Sequence, residues 1–142
     1  MRCMGMKWIP LAALLLSGCA VPVASPSPVA SCPVGDPAVT AQLLFGRSIK
    51  GGGRVSDAAW RDFLARSVTP RFPDGLTVLN GYGQWRENGT DRVVREDSTL
   101  VEIVTDGTPE TLAKLQAIRD AYRTAFQQDS VGLVLNESCA SF

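Results

Sequence analysis

Apolar residues alternate with polar or small ones through Val39, Ala41, Leu43 and Phe45, the two-residue period of a strand with one buried face. Past Lys50-Gly51-Gly52-Gly53-Arg54 the period lengthens. Trp60, Phe63, Leu64 and Val68 recur at three- and four-residue intervals, which predicts a helix capped by Ser56 with Asp57 in its first turn. That helix must stop near Thr69, because Pro70 disfavours helical geometry in the residue before it. Arg71-Phe72-Pro73-Asp74-Gly75 then turns the chain into a second strand, Leu76 to Arg86, rich at its start in residues that favour strands. Asn88-Gly89 marks a hairpin into a third strand that starts at Val93 and continues over Leu100 to Thr105, after an irregularity expected at Asp97-Ser98. Gly81 and Gly83 inside the second strand predict a bulge or a close approach by another group. Thr108-Pro109-Glu110 opens a second helix with the apolar stripe Leu112, Leu115, Ile118, Tyr122 and Phe126, and Val131, Leu133 and Leu135 give a last strand.

Strand, helix, strand, strand, helix, strand is the order of the ferredoxin-like split βαβ arrangement, an α+β fold with a four-stranded antiparallel sheet and two helices on one face. In that topology the first and last strands are antiparallel neighbours. The start of one therefore lies beside the end of the other.

Ahead of the domain the pattern is different in kind. Arg2 and Lys7 precede the uncharged run Trp8 to Leu16, followed by small residues, as in a secretory signal. Nine apolar residues fall well short of the roughly 20 a spanning helix needs. Leu16-Ser17-Gly18-Cys19 resembles a bacterial lipobox, which implies diacylglycerol on the Cys19 thiol, cleavage before it and acylation of the new amino group. Two or three acyl chains would hold the protein lastingly, each buried methylene contributing about 0.8 kcal/mol. Ala20, in place of an Asp, resembles the class sorted to the outer membrane of a Gram-negative host, facing the periplasm.

The chain accordingly divides into a signal peptide at 1–18, a segment at 19–31 with three prolines and no charge, and one domain at 32–142. A Pro-rich segment extends by about 3.1 Å per residue, so it reads as a spacer of roughly 30 to 40 Å or as a leader with no selected reach.

Charge narrows the choice of function. Among 142 residues there are 14 Lys and Arg against 14 Asp and Glu, and removing residues 1–18 takes Arg2 and Lys7 away, leaving a net charge of about −2. Nucleic acid is excluded as a partner, since no basic excess exists to release counterions from a phosphate backbone. The chain has no His, which excludes imidazole-based nucleophile activation and the usual zinc catalytic centres. No metal or other cofactor is expected. Gly51 to Gly53 lack the spacing and the following Lys-Ser/Thr of a phosphate-binding loop.

Of four cysteines, Cys3 leaves with the signal and Cys19 takes lipid, so Cys32 and Cys139 remain as a pair in an exported domain. An oxidising compartment predicts a disulfide between them. Free thiols or an intermolecular bond are the competing readings, but both residues sit at the domain margins, where the fold order brings the chain ends together.

Leu44-Phe45-Gly46-Arg47, Val68-Thr69-Pro70-Arg71-Phe72-Pro73-Asp74-Gly75, Gly83-Gln84-Trp85-Arg86 and Arg95-Glu96 together resemble a family of exported bacterial proteins, domain of unknown function 3574, over most of residues 40 to 140. The resemblance implies a lipoprotein or secreted domain and carries no catalytic residue.

A sheet with helices on one side leaves its other side to be accounted for. Alternation sets Leu44, Gly46 and Ser48 on that side, with Tyr82 or Trp85 beside them. Arg47, Arg71, Tyr82, Trp85, Arg86, Glu96 and Glu102 are the candidate ligand-binding residues, aromatic groups and charges suited to an anionic or sugar-like ligand. The leading expectation is a non-catalytic binding or interaction module, tethered to membrane lipid through Cys19 and engaging a small ligand or an envelope protein. A small extracytoplasmic enzyme with an Arg and Glu site on the central hairpin is the alternative, and it requires Glu96 and Glu102 to converge. A purely structural service in envelope assembly is a third reading.

Overall fold

The computed structural model describes residues 31–87 and 89–142. The expected signal peptide, the expected lipidation site Cys19, the expected spacer up to residue 30 and Asn88 of the hairpin signal lie outside them. Strands β1 (Asp36–Gly46), β2 (Thr77–Arg86), β3 (Val93–Thr105) and β4 (Gly132–Ala140) form one antiparallel sheet in the order β2-β3-β1-β4. Helices α1 (Asp57–Phe63) and α2 (Pro109–Phe126) complete the ferredoxin-like α+β fold.

Local chemistry places the helix ends as the sequence implies. Ser56 Oγ accepts from the Ala59 amide at 3.1 Å, and Thr108 Oγ1 accepts from the Thr111 amide at 3.3 Å ahead of Pro109. After Phe63 the first helix widens into a π-turn over Leu64–Val68, closed by Thr69 N donating to Leu64 O at 2.9 Å, just before Pro70. Helix α2 ends at Gln127 in the left-handed conformation, φ 52°.

Ala41, Leu43 and Phe45 on β1 and Val101 and Ile103 on β3 face the helices and are fully buried or nearly so. They meet Trp60 and Phe63 from α1 and Leu115, Ile118 and Tyr122 from α2. Phe45 is the hub, with its ring centroid 4.8 Å from Tyr122 and 5.0 Å from Trp60. The stripe on α2 is rotated from the expected one. Thr111, Leu115, Ile118 and Tyr122 point inward, while Leu112 is exposed, because a step of four from Leu115 reaches Thr111. The inward Thr111 carries its polarity without cost, its hydroxyl donating to Asp106 Oδ1 at 2.7 Å.

Two expectations about the strands are corrected. Strand β3 runs unbroken through Asp97 and Ser98, which pair in continuous register with Tyr82 and Gly81 on β2, so there is no irregularity and no bulge. Gly81 and Gly83 do not mark a close approach either, since a Cβ on either would meet Ser98 Oγ at 3.4 and 3.5 Å, ordinary van der Waals contact. Asp97 and Ser98 interrupt the apolar pattern because the β2–β3 hairpin extends past the helix layer, where neither face is buried.

Cys32 and Cys139 form a disulfide with Cα atoms 5.6 Å apart. It joins the segment entering β1 to the end of β4, where Pro37 and Cys139 are register partners.

Candidate functional site

Residues directly opposed in an antiparallel sheet share a face, and neighbours along a strand alternate between faces. The helix-free face is therefore fixed by register. One row across it holds Leu79, Leu100 and Leu44, the next Gly81, Ser98 and Gly46, and the next Gly83 and Glu96, with Trp85 beyond on β2. A band of leucines thus borders a strip with almost no side chain, and that strip is closed at its far side by an aromatic ring and a carboxylate.

Glu96 is held from two directions. Its Oε1 accepts from Trp85 Nε1 at 2.8 Å, and its Oε2 accepts from the Ser48 amide at 2.8 Å. The carboxylate lies over Gly46, where a Cβ would come within 2.7 Å of Oε1. Any side chain there must displace the free end of the Glu96 side chain, while the backbone itself does not demand glycine. Trp85 keeps 41% of its surface exposed, so its ring is fixed by the edge and free on a face.

The other acid of the expected pair is elsewhere. Glu102 lies six residues along β3 from Glu96, about 20 Å at roughly 3.3 Å per residue, and its Oε2 accepts from Gln42 Nε2 at 2.8 Å. Paired glycosidase carboxyl groups stand about 5 to 9.5 Å apart. These two do not converge.

Arg47 is not available to a ligand. It continues the Ala41, Leu43, Phe45 alternation onto the helix side and is 3% exposed. Its guanidinium donates to Val55 O at 3.1 and 2.8 Å, to Thr99 Oγ1 at 3.2 Å and to Asp57 Oδ1 at 2.8 Å, with its carbon 5.7 Å from the Trp60 ring centroid. Four of the five N–H donors of the fork are used within the fold.

A family model described as a protein of unknown function, DUF3574, matches residues 40–142. The chain belongs to the DUF3574 family. No curated protein sequence matches it significantly. Among solved structures it is similar to a phage SAM lyase, both in complex with S-methyl-5'-thioadenosine and in the apo state, each with a TM-score of 0.56 and 17% identity. The alignments cover 72% of this chain and 90% of the complexed lyase, and 76% and 86% for the apo form. At that identity the likeness is one of fold.

The remaining candidates of this DUF3574 member are dispersed. Tyr82 stands on the opposite face of β2 from Trp85 and is 68% exposed, since the helices do not reach that part of the hairpin. Arg86, at the end of β2, makes a long ion-pair contact of 3.7 Å with the exposed Asp91 among the described residues. Arg71 lies at the other end of the fold, donating to Ser67 O at 2.6 Å beside a shallow cleft bordered by Asp74, Asp106 and Lys114. Of the seven candidates, only Trp85 and Glu96 come together.

Ser48 and Ser98 are the members of this constellation that were not among the candidates. Ser98 was masked by its place in an apparently irregular Asp-Ser step. The signal that points to it is the pair of glycines two residues apart in a strand facing it. Among the described residues there is no group of three or more His, Cys, Asp or Glu side chains arranged to hold a metal ion.

Proposed function

We propose that this DUF3574 member is a lipid-anchored, non-catalytic binding module of the bacterial cell envelope, and that it takes a small ring-bearing ligand on the helix-free face at Trp85, Glu96 and Ser98. The observation that carries the binding part is the Trp85–Glu96 hydrogen bond beside bare glycine backbone. A ring fixed at its edge offers a stacking face at low entropic cost. Each Glu96 oxygen has one donor from the protein and lone-pair capacity for another, and Ser98 adds a hydroxyl. This pattern suits a hydroxyl-bearing ring better than a reaction, because the expected second carboxylate, Glu102, lies about 20 Å from Glu96 at roughly 3.3 Å per residue.

The compartment is supported separately. Leu16-Ser17-Gly18-Cys19 provides the acylation signal, and the Cys32–Cys139 disulfide suits an oxidising milieu. The disulfide also fixes where a tether from Cys19 would join the fold. Strand directions put that point at the end opposite the β2–β3 turn, so Trp85 and Glu96 would face away from the membrane, the outer membrane in a Gram-negative host.

Titration of tryptophan fluorescence with N-acetylated amino sugars and with S-methyl-5'-thioadenosine tests the site, with Trp85→Ala expected to abolish the response. No response from any ring ligand would overturn the binding reading, and turnover of SAM would replace it with the enzyme alternative on the hairpin. Cys19→Ala tests the anchor independently: the protein should move from the membrane fraction to the soluble one.

A further inference from the structure

The β2 edge of the sheet is left unprotected over its whole length. Natural edge strands are usually blunted by charge, proline, a bulge or brevity. Strand β2 spans ten residues in unbroken register with β3, holds no proline, and carries no charge between Thr77 and Trp85. The opposite edge, β4, has Glu137 within it.

The hydrogen-bond phase of this edge follows from the hairpin. Glu87 N donates to Arg92 O at 3.0 Å, which makes that pair a hydrogen-bonded one. Bonded and non-bonded pairs alternate, so Leu79, Gly81, Gly83 and Trp85 exchange bonds with β3. Val78, Asn80, Tyr82 and Gln84 then turn their N–H and C=O groups outward, and no other described residue bonds to them.

We propose that two copies of this chain join along β2, antiparallel about a two-fold axis at Asn80, to form a continuous eight-stranded sheet. The two-fold at Asn80 fits the strand's own side chains. It sets Leu79, 54% exposed, opposite Gly81 of the second copy, and Tyr82, 68% exposed, opposite Val78. Each bulky exposed group meets a small or apolar one, on both faces of the sheet. Arg86, whose contact with Asp91 is long, is carried to the turn holding Asp74, which has no ion pair among the described residues. A two-fold at Gly81 would instead face glycine with glycine and Tyr82 with Asn80. Bare backbone, steric fit and charge agree on one self-complementary partner, and none of them depends on the ligand proposed above.

The test uses the full chain in mild detergent. Light scattering should give two chains per particle for the wild type and one for Tyr82→Pro, which removes an outward N–H and leaves the β3 ladder its donors. Asn80→Cys should give an oxidant-dependent covalent dimer, because directly bonded partners place their Cα atoms about 5.5 Å apart. Gln84→Cys, in the same background of cysteines, should not, since two such residues would lie about 27 Å apart at roughly 3.4 Å per residue. A single-chain wild type, an assembly that survives Tyr82→Pro with native circular dichroism, or equal crosslinking at 80 and 84 each overturns the proposal. Should Tyr82→Pro unfold, the crosslinking comparison decides.

Discussion

The carboxylate of Glu96 occupies the space that a side chain at Gly46 would fill. One atom at position 46 is therefore coupled to a tryptophan two strands away. Gly46→Ala places its methyl 2.7 to 2.9 Å from both carboxylate oxygens, so Glu96 must swing out and release Trp85 Nε1 and the Ser48 amide. The expected cost is about 1 kcal/mol or less, because the displaced carboxylate is the free end of a flexible side chain whose bonds are exposed to water. Denaturant titration reads the loss, and a change in tryptophan emission reads the freed ring. Unchanged stability and emission would mean that the carboxylate is not seated over Gly46 in solution.

The disulfide closes a loop with a sequence separation of 107 residues, nearly the whole domain. In the chain-entropy model such a loop contributes about 4.7 kcal/mol by restricting the unfolded chain. Reduction, or Cys139→Ser, should lower the denaturant midpoint markedly while leaving the far-UV spectrum of the folded protein intact, because the bond sits outside the core. A loss under 1 kcal/mol would show that the unfolded chain keeps its ends close without it.

What could be read from the sequence follows a physical divide. Periodicity, caps and the Asn-Gly sequence signal between β2 and β3 encode elements locally, so the order of strands and helices, and from it the Cys32–Cys139 bond, were legible. Phase was harder. Thr111 and Leu112 are adjacent, and which one faces inward depends on the sheet that α2 lies against. Asp97-Ser98 looked like a break because polarity in a strand usually means a turn; here it means that the hairpin leaves the helix layer. The site suffered most, since charge alone cannot separate Arg47, whose guanidinium is bound inside the fold, from Glu96, whose carboxylate stays at the surface. Register decides, and register is a property of three strands together.

Arg47 shows how much a buried charge can hold. Its guanidinium ties Val55 O, Thr99 and Asp57 together across the start of α1. Arg47→Met keeps the stem and removes the fork, stranding Val55 O in a buried place while Thr99 Oγ1 keeps its bond to Asn80 Oδ1. The expected loss is about 1 to 3 kcal/mol, the cost of leaving the buried Val55 carbonyl without its donor, since the charged partner Asp57 stays solvated. Asp57→Asn should cost much less, because Asp57 is largely exposed and the other contacts remain. Equal losses for the two variants in urea unfolding would contradict this division.

Tyr122 gives the fold an alkaline limit. It is fully buried and donates its hydroxyl to Gly46 O at 2.8 Å. Burial raises its pKa to about 12, with the nearby Glu96 carboxylate adding to the shift and the Arg47 charge opposing it. A pKa raised in the folded state means that the folded form holds the proton more tightly than the unfolded one. That stability is therefore fully present below about pH 10, the ordinary tyrosine value, and is lost as the pH climbs towards 12. The stability at stake is on the order of 3 kcal/mol. Tyr122→Phe forfeits the hydrogen bond, about 1 kcal/mol at neutral pH, but removes the ionisation. Its stability should fall less steeply between pH 10 and 12 than that of the wild type, the comparison cancelling the lysines common to both. Parallel pH profiles for the two proteins would show that Tyr122 does not set this limit.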